Sequence, residues 1–361
     1  MREVFEPARW NAAVKALGGS IAQSWEWGLF HQSLGWEPVR LLDEEGRGAV
    51  QLLLKGTPPR EGSVAYAPYG PLAASTADLV DITESAARWA RGYGAYLLKI
   101  EPRLGGEVTR EILKAGGRYV RAGVELPVRT FIVELPQDPQ EHLKTLHKGV
   151  RYKIRRADRH GVRVLTLSSG SPDIDDKMAE FLKLLEDTSE RQGFSIAPEA
   201  FYKNLMRDLP AHLLLAYHEE TPVAGIIAVS FGEEAYYLFG ASAERGNLYA
   251  PYLLQWEVMD AARRAGCSRY DMWGLPPSRY DEWNILKFRN LGEPEQEGLY
   301  RFKKQFGGTF MEYAGAYIRI LNYAKLLEHG AASLGRRALY SPQSSFLYKF
   351  RGKVFGHSPR S

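Results

Sequence analysis

Short apolar runs that are typical of buried strands recur along this chain in two groups. The runs lie at 50–54, 64–66 and 96–100, and then at 224–229, 235–239 and 270–273. In each group an alanine-rich segment that is compatible with a helix precedes the last run and ends at a glycine. The pattern therefore predicts two units with the order strand, strand, helix, strand, which is typical of an α/β fold.

The two groups also resemble each other in detail, as the copies of an internal repeat would. The alanine-rich segments are 86–90 and 261–265, and a glycine and a tyrosine follow each of them at similar spacing. An Ala-Pro-Tyr triplet precedes the helix in both copies, at 67–69 and 250–252, and we expect it to form a loop. Two copies of one α/β unit explain this better than one large domain, and chance similarity is the alternative.

A domain boundary is predicted where the pattern changes after the strand-like run 131–135. Two prolines follow this run, and a basic segment that is compatible with a helix extends to Gly161. We therefore expect mixed twisted sheets flanked by helices in two domains, at 1–140 and 141–311. The C-terminal segment 312–361 is expected to complete the first domain.

The composition is that of a globular protein with a substantial core. The 361 residues are 45% hydrophobic and 25% charged, and no stretch approaches the roughly 18 apolar residues of a membrane span. The first residues are charged where a signal peptide would have an apolar core, so we expect a cytoplasmic protein. Cys267 is the single cysteine, which excludes an internal disulfide, and no Cys/His spacing predicts a zinc site.

Two basic stretches stand out against a net charge of only +4. Within 144–159 the only acid is Asp158, and after Glu328 there is no acid. The basic residues of the first stretch are Lys144, Lys148, Arg151, Lys153, Arg155, Arg156 and Arg159. Both stretches indicate a phosphate-bearing partner, and a solvated helix face is the alternative.

Residues 299–308 read Leu-Tyr-Arg-Phe-Lys-Lys-Gln-Phe-Gly-Gly, a lysine pair between aromatic residues. The spacing of Phe302 and Phe306 puts both rings on one face of a helical turn that is anchored in apolar surroundings. Lys303 or Lys304 must then lie at the rim of this apolar wall, where a fixed positive charge suits a phosphate or a developing oxyanion. A solvated lysine pair at a helix end is the alternative.

The loop before the second predicted helix matches a coenzyme A site only in part. Acetyl-CoA-dependent GNAT enzymes have Arg-Gly-x-Gly-x-Ala at this place, and its backbone N–H groups bind the pyrophosphate. The segment 245–250 has Leu248 in place of the second glycine, and Pro251 follows it. Leucine blocks close approach of the backbone, and proline removes an amide donor. An acyltransferase scaffold is therefore predicted without its coenzyme A site.

Four motifs in a fixed order make most of the chain, about 20–315, similar to a known family. They are Lys148-Gly149-Val150-Arg151-Tyr152-Lys153-Ile154-Arg155-Arg156-Ala157, Thr188-x-x-Arg191-x-Gly193, Leu248-Tyr249-Ala250-Pro251-Tyr252 and Phe302-Lys303-x-x-Phe306. With them the chain resembles the FemABX family of peptidoglycan-bridge aminoacyltransferases. The resemblance implies two tandem GNAT-like domains. It also implies the short form of the family, because the sequence has no long charged heptad stretch for a coiled-coil arm.

The resemblance further implies a reaction. An amine on the stem peptide of a peptidoglycan precursor, either UDP-MurNAc-peptide or lipid II, attacks the ester carbonyl of aminoacyl-tRNA. This ester is already activated, so the reaction needs alignment and stabilisation of the oxyanion but no metal, covalent nucleophile or cofactor. The family's electrostatic role falls on Lys303, and phosphate binding by the same ammonium is the alternative. Glu101 matches a position that is often acidic, and it is expected to orient the amine or accept its proton.

Further positions are expected to bind the two substrates. Aromatic rings offer flat faces for uracil or sugar rings, and basic side chains pair with phosphates. The predicted precursor-binding residues are His31, Trp36, Tyr69, His212, Tyr249, Tyr252 and Phe302. The predicted tRNA-binding residues are Lys148, Arg151, Lys153, Arg155 and Arg156. Relatives that bind a nucleotide diphosphate have basic residues where this chain has the two histidines, so a UDP-linked and a lipid-linked acceptor both stay open.

Aromatic and basic residues alternate between Phe346 and Lys353 in the C-terminal tail. This pattern suits peripheral contact with the inner surface of the membrane or with RNA, and docking onto the first domain is the alternative. Two other functions stay open for the whole chain. One is a CoA-dependent GNAT N-acyltransferase, and the other is a non-catalytic tRNA- or membrane-binding protein on a decayed GNAT scaffold.

Overall fold

The computed structural model describes residues 1–55, 63–106, 119–244, 246–275 and 294–334, and the predicted aromatic and basic tail lies outside them. It has the predicted α/β architecture, with two mixed sheets and flanking helices. In these residues the helices are α1 (Pro7–Ala16), α2 (Trp25–Ser33), α3 (Thr76–Gly92), α4 (Pro139–Thr145), α5 (Lys148–Arg159), α6 (Ile174–Gln192), α7 (Glu199–Asp208), α8 (Ala250–Arg264), α9 (Pro294–Lys304) and α10 (Tyr323–Leu334). None of them combines the length and the apolar character that crossing a bilayer requires.

The strands of the same residues form two sheets. They are β1 (Arg2–Glu3), β2 (Glu37–Leu42), β3 (Gly48–Lys55), β4 (Ser63–Ala67), β5 (Leu72–Ala73), β6 (Ala95–Ile100), β7 (Tyr119–Ala122), β8 (Arg129–Glu134), β9 (Val162–Ser168), β10 (Ala211–His218), β11 (Thr221–Phe231), β12 (Glu234–Ser242), β13 (Arg269–Asp271), β14 (Thr309–Glu312) and β15 (Ala316–Ile320). The first sheet has the order β1-β2-β3-β4-β6-β15-β7, with β5 paired to β3, and the second has the order β14-β8-β13-β12-β11-β10-β9.

Each sheet contains a parallel pair of strands that a helix connects. In the first sheet β4 and β6 are parallel and α3 joins them, and in the second β12 and β13 are parallel and α8 joins them. Parallel neighbours need such a crossover because a short turn cannot return the chain to the same end of the sheet. Ser75 begins α3 by accepting a hydrogen bond from the N–H of Asp78. The helix then buries one face, formed by Leu79, Ile82, Thr83, Ala86, Ala87 and Ala90.

The predicted repeat is present, because β3-β4-α3-β6 and β11-β12-α8-β13 follow the same order around the same kind of parallel pair. One detail of the prediction is wrong. Residues 250–252 form the first turn of α8 and not a loop. Proline is favoured in the first helical turn, where its missing N–H would have no partner in the helix. Tyr249 precedes this turn with a φ of +54°, in the left-handed region.

At both ends of the second unit, a strand pairs in the sheet that its position in the sequence would not suggest. Strand β8 pairs with β13 and β14 in the second sheet, although it precedes the boundary that we predicted at residue 140. Strand β15 returns to the first sheet and pairs with β6 and β7. The division into domains stays a prediction, and these pairings favour a first boundary before β8.

One hydrophobic cluster extends from the first sheet into the second. Helix α2 contributes Trp27 and Phe30, and helix α7 contributes Phe201 and Tyr202. The rings of Phe30 and Phe201 meet edge to face, with 5.1 Å between their centroids. The two sheets are therefore held together by a shared core as well as by polar contacts.

Candidate active site

Lys303 lies in the last turn of α9 with its ammonium group turned inward. Its Nζ donates hydrogen bonds of 2.7, 2.6 and 2.7 Å to the carbonyl oxygens of Met272, Trp273 and Gly274, just beyond β13. The residue is only 5% exposed, whereas its neighbour Lys304 is exposed. The structure thus distinguishes the two lysines that the sequence could not, and Lys303 is the one that is fixed.

Burial lowers the pKa of Lys303 from 10.5 to about 7, because an ammonium ion loses its hydration there, and the nearby carboxylate of Asp271 opposes this shift. The three carbonyl contacts favour the charged form, since an ammonium group has three hydrogens to donate. The ammonium also lies 5.0 Å from the ring centroid of Tyr237. The charged form of Lys303 therefore depends on these few contacts, which oppose the effect of burial.

The strand end that binds Lys303 has an unusual backbone. Trp273 has a φ of +49°, which a bulky side chain rarely adopts. Asp271 supports it, because its Oδ1 accepts hydrogen bonds from the Trp273 N–H at 2.7 Å and from the Thr130 hydroxyl at 2.5 Å. The side chain of Asp271 thereby holds the chain in the shape that presents three carbonyl oxygens to one ammonium group.

Several predicted substrate residues form an aromatic cluster around Phe302, the neighbour of Lys303 in the sequence. The ring of Tyr252 is 5.0 Å from that of Phe302 and 5.8 Å from that of Phe306, and Tyr249 is 6.5 Å from Tyr252. Phe302 and Phe306 also contact each other at 5.2 Å, as their spacing predicted. The structure therefore brings Tyr249, Tyr252 and Phe302 together between the start of α8 and the end of α9, and Lys303 lies in the same last turn of α9 as Phe302.

Lys153, which we predicted to bind tRNA, also reaches this aromatic cluster. Its Nζ donates to the Tyr252 hydroxyl at 2.8 Å and to Oε1 of Gln305 at 3.1 Å. The side chain thus connects α5 to α8 and to the end of α9. This geometry favours a place in the site for Lys153 over a contact with the tRNA backbone.

The structure separates the remaining predicted tRNA contacts into two kinds. Arg151 donates to the carbonyl oxygens of Leu143 and Lys144 at the end of α4, and Arg156 donates to the hydroxyl of Tyr152. Lys148 and Arg155 are exposed, and among the described residues no hydrogen bond or ion pair of either side chain is recorded, although the carbonyl oxygen of Arg155 accepts from Arg159. The exposed pair is thus the part of α5 that is best placed to meet phosphates.

Glu101 lies in the first sheet's unit, at the end of β6, and it is 3% exposed. Its carboxylate accepts hydrogen bonds from the Tyr66 hydroxyl at 2.7 Å and from the N–H groups of Glu125 at 2.7 Å and Leu126 at 3.1 Å. The Lys99 ammonium is 3.4 Å away. These contacts occupy both oxygens, so the geometry does not favour Glu101 as a group that accepts a proton from a substrate amine.

Tyr69 is also buried, at 3% exposure. Its hydroxyl donates to the carbonyl oxygen of Pro127 at 2.6 Å, and its ring meets those of Trp273 and Tyr313, each at 5.8 Å. Little of the ring is left for stacking with a nucleotide or a sugar, so the structure does not favour the substrate contact that we predicted. Tyr69 connects the first unit to the strand end that binds Lys303.

His31 and Trp36 lie together on α2 and at the start of β2, with 6.4 Å between their ring centroids. Burial lowers the pKa of His31 to about 4, so the ring is neutral at pH 7, and one ring nitrogen lies 3.0 Å from the Trp27 carbonyl oxygen. Lys55, at the end of β3, places its ammonium 5.0 Å from the Trp36 ring centroid. Sequence reasoning missed Lys55, although it directly follows a predicted strand.

His212 is exposed on β10, and no hydrogen bond or ring contact in the described part of the chain joins it to His31. The structure therefore does not bring the two predicted histidines together by direct contact. Burial of part of the ring lowers the pKa of His212 as well. Neither histidine is charged at neutral pH, which weakens both as partners for a diphosphate.

A sequence model of the FemAB family matches residues 129–217 and 211–326, which together span more than half of the chain. The chain belongs to the FemAB family. The matched region begins at β8, where the second sheet begins, and it includes the aromatic cluster and Lys303.

Two relatives and one solved structure are similar to this chain over most of its length. The UDP-N-acetylmuramoylpentapeptide-lysine N(6)-alanyltransferase of Weissella viridescens is 25% identical over 86% of this chain and 93% of its own. The lipid II:glycine glycyltransferase of Staphylococcus haemolyticus is 22% identical over 86% of this chain and 91% of its own. The crystal structure of FemX is 21% identical and superposes with a TM-score of 0.74 over 91% of this chain and 99% of that one.

Proposed function

We propose that this protein is an aminoacyltransferase that moves an amino acid from aminoacyl-tRNA to the stem-peptide amine of a peptidoglycan precursor and so builds an interpeptide bridge. The observation that supports this most is the buried ammonium of Lys303, which three backbone carbonyl oxygens fix just beyond β13. It puts a fixed positive charge at the end of an interior strand of the second sheet, where it could stabilise a developing oxyanion. The names of the two relatives support the same class of acceptor.

The start of α8 supports an acyl donor other than coenzyme A. Leu248 is buried at 6% exposure where a GNAT enzyme needs a glycine, and Pro251 occupies the first turn of the helix. A pyrophosphate would therefore lose both the close approach of the backbone and one amide donor. Leu248 and Pro251 therefore do not favour a CoA-dependent N-acyltransferase.

The reaction can be written with the groups present. The substrate amine bonds to the ester carbonyl carbon, the carbonyl oxygen becomes an oxyanion, and the bond from carbon to the ribose oxygen then breaks. The oxyanion re-forms the carbonyl as this bond breaks, and the departing ribose oxygen takes up the proton that the amine gives off and becomes a hydroxyl, so charge and atoms balance. Lys303 would stabilise the oxyanion when the latter replaces one of its three carbonyl acceptors. Such a donor is worth about 10²–10³-fold in kcat.

Glu101 has a different part in this proposal. Its carboxylate fixes residues 125 and 126 against the end of β6, next to the carbonyl of Pro127 that binds Tyr69. Tyr69 in turn packs on Trp273. We therefore assign Glu101 to the support of the site and not to proton transfer.

The donor and the acceptor would approach from different surfaces. The exposed Lys148 and Arg155 on α5 are candidates for tRNA phosphates, and Trp36 with Lys55 for the precursor. Tyr323 and Leu327, one turn apart on α10, are 69% and 73% exposed. They support a peripheral contact with the inner surface of the membrane, which a cytoplasmic enzyme acting on lipid II would need.

The test is incubation with total charged tRNA and, separately, with UDP-linked and lipid-linked muropeptides, with product mass as the readout. Lys303→Met and Lys304→Met form a matched pair, because the two lysines are neighbours and only the first is buried. An added aminoacyl residue that requires charged tRNA and is lost in Lys303→Met supports the proposal. Transfer from acetyl-CoA, or no transfer to either acceptor, contradicts it.

A further inference from the structure

Arg103 is at the centre of a buried ionic cluster between the two sheets. It follows β6 of the first unit, and its guanidinium donates to both carboxylate oxygens of Glu234, at 2.7 and 3.0 Å. It also donates to Oδ2 of Asp271 at 2.9 Å and to the Tyr313 hydroxyl at 3.0 Å. The side chain of Arg103 is 14% exposed, and those of Glu234 and Asp271 are 6% and 1% exposed.

Such a cluster is weak evidence for stability by itself, since the cost of removing the charges from water offsets much of their attraction. Its geometry points to another role. The planar guanidinium of Arg103 binds the planar carboxylate of Glu234 through two parallel hydrogen bonds, which fixes the orientation of the two groups as well as their distance. One guanidinium thus ties a side chain of β12 and a side chain of β13 to the first unit of the chain.

A continuous path of contacts leads from Arg103 to Lys303. Arg103 holds Oδ2 of Asp271, and Oδ1 of the same carboxylate holds the N–H of Trp273. Trp273 and the residues on either side of it supply the three carbonyl oxygens that bind the Lys303 ammonium. Because Trp273 is in the left-handed region, this backbone shape needs support from its surroundings.

We infer that Arg103 is a positioning residue for the transfer reaction, which fixes Asp271 and through it the carbonyl oxygens that aim the Lys303 ammonium. This inference rests on the function proposed above. Arg103 touches neither Lys303 nor the aromatic cluster in the recorded contacts of the described residues, so it acts through the strand end. Among the described residues, the first unit supplies none of the recorded hydrogen-bond acceptors of the Lys303 ammonium, and it controls the geometry of the second unit through Arg103.

The kinetic test compares Arg103→Met and Arg103→Lys with Arg319→Met. Arg319 is a matched control, because it is also a buried arginine in an ion pair, with Glu84 at 2.5 Å, but it lies on β15 away from the ammonium site. Both Arg103 variants should lower kcat by about 10- to 100-fold with little change in KM, since a small misplacement of a reacting group has effects of this size. Equal losses of kcat in Arg103→Met and Arg319→Met would overturn the inference.

A second test needs no substrate and therefore still works if the proposed function is wrong. The protein is treated briefly with acetic anhydride, and acetylation of Lys303 is measured by mass spectrometry relative to the exposed Lys304. Lys303 should be acetylated several times faster in Arg103→Met than in the unsubstituted protein, because the carbonyl oxygens no longer hold its ammonium. In Arg319→Met the rate of Lys303 acetylation should not change. An unchanged rate in Arg103→Met would overturn the inference, and Glu234→Gln replaces this variant if it does not fold.

Discussion

The two repeated units end in opposite ways. Beyond β6 in the first unit, the buried Glu101 carboxylate is held by the backbone N–H groups of residues 125 and 126. Beyond β13 in the second, the buried Lys303 ammonium is held by the backbone carbonyl groups of residues 272–274. One topology therefore stabilises a buried anion at one strand end and a buried cation at the other.

The comparison shows what the topology decides and what it leaves open. In both units a lysine ammonium lies near a tyrosine ring, Lys99 of β6 near Tyr66 of β4 and Lys303 of α9 near Tyr237 of β12. In the first unit this lysine pairs with Glu125 and Glu101, and its charge is neutralised. In the second no ion pair of the lysine is recorded among the described residues, and its ammonium donates to three carbonyl oxygens. The positive charge of the second unit is therefore available to a substrate.

Replacing Lys303 should have the largest effect on activity. We expect Lys303→Met to lower kcat by about 10²–10³-fold, because the oxyanion loses its charged donor. Lys304→Met should stay within about threefold of the unsubstituted protein, as exposed substitutions usually do. The measurement is single-turnover transfer from charged tRNA. Because Lys303→Met leaves three carbonyl groups without a donor, its unfolding must be followed in parallel. Equal kcat in the two variants would contradict a transition-state role.

Replacing Glu101 should break the other strand end and act on stability first. Glu101→Gln keeps the size of the side chain but removes the charge that two N–H groups and a hydroxyl share. We expect the free energy of unfolding in urea to fall by about 2–3 kcal/mol, because buried hydrogen bonds to a charged group are lost. Glu312→Gln, which removes an exposed carboxylate paired with Arg129, should cost less than about 1 kcal/mol.

The same Glu101 variant tests our assignment against the prediction from sequence. If Glu101 accepts the proton of the amine, Glu101→Gln should abolish transfer while the free energy of unfolding stays unchanged. If it supports residues 125 and 126, the loss of activity should follow the loss of stability. A variant that is stable but inactive would thus restore Glu101 as a proton acceptor.

The contribution of Lys303 to kcat should depend on pH. Its pKa of about 7 means that the ammonium form predominates below that pH and is lost above it. The ratio of kcat between the unsubstituted protein and Lys303→Met should therefore be largest below pH 7 and fall as the pH rises. A ratio that is constant with pH would contradict a role for the ammonium charge.

The contribution of Lys303 to stability should rise with pH over the alkaline range, whereas its contribution to kcat should fall. The pKa of Lys303 is lower in the folded protein than its ordinary value of 10.5, so the unfolded chain binds more protons between about pH 7 and 10.5. The free energy of unfolding, relative to that of Lys303→Met, should rise through this window. Urea unfolding at several pH values measures it.

The sequence predicted what depends on local pattern. The order strand, strand, helix, strand was readable twice, because the period of apolar residues is a property of adjacent positions. The first turn of α8 was misread as a loop because Pro251 is a turn signal in sequence, and only its place at the helix start makes it helical. Lys303 and Lys304 could not be separated because the acceptors of Lys303 lie about 30 residues earlier in the chain.

Arg103 was missed for the same physical reason. Its partners Glu234 and Asp271 are 131 and 168 residues away, and no local motif surrounds it. Lys153 was assigned to tRNA because its neighbours are basic, while its partners Tyr252 and Gln305 become visible only in the fold. Long-range polar contacts decide which charged residues of a basic stretch are free to bind, and a single sequence contains no record of them.

The smallest effects should separate the two kinds of lysine on α5. Lys148 is exposed, so Lys148→Met should weaken tRNA binding and lower the slope of log K against log salt by about 0.7–0.9, the value for one phosphate contact. Lys153→Met should leave this slope unchanged and lower kcat a few-fold, because Tyr252 and Gln305 lose their shared donor. Filter binding of tRNA at several salt concentrations gives the slopes. A reduced slope in Lys153→Met would return Lys153 to the tRNA surface, and the aromatic cluster would then be ordered by its rings alone.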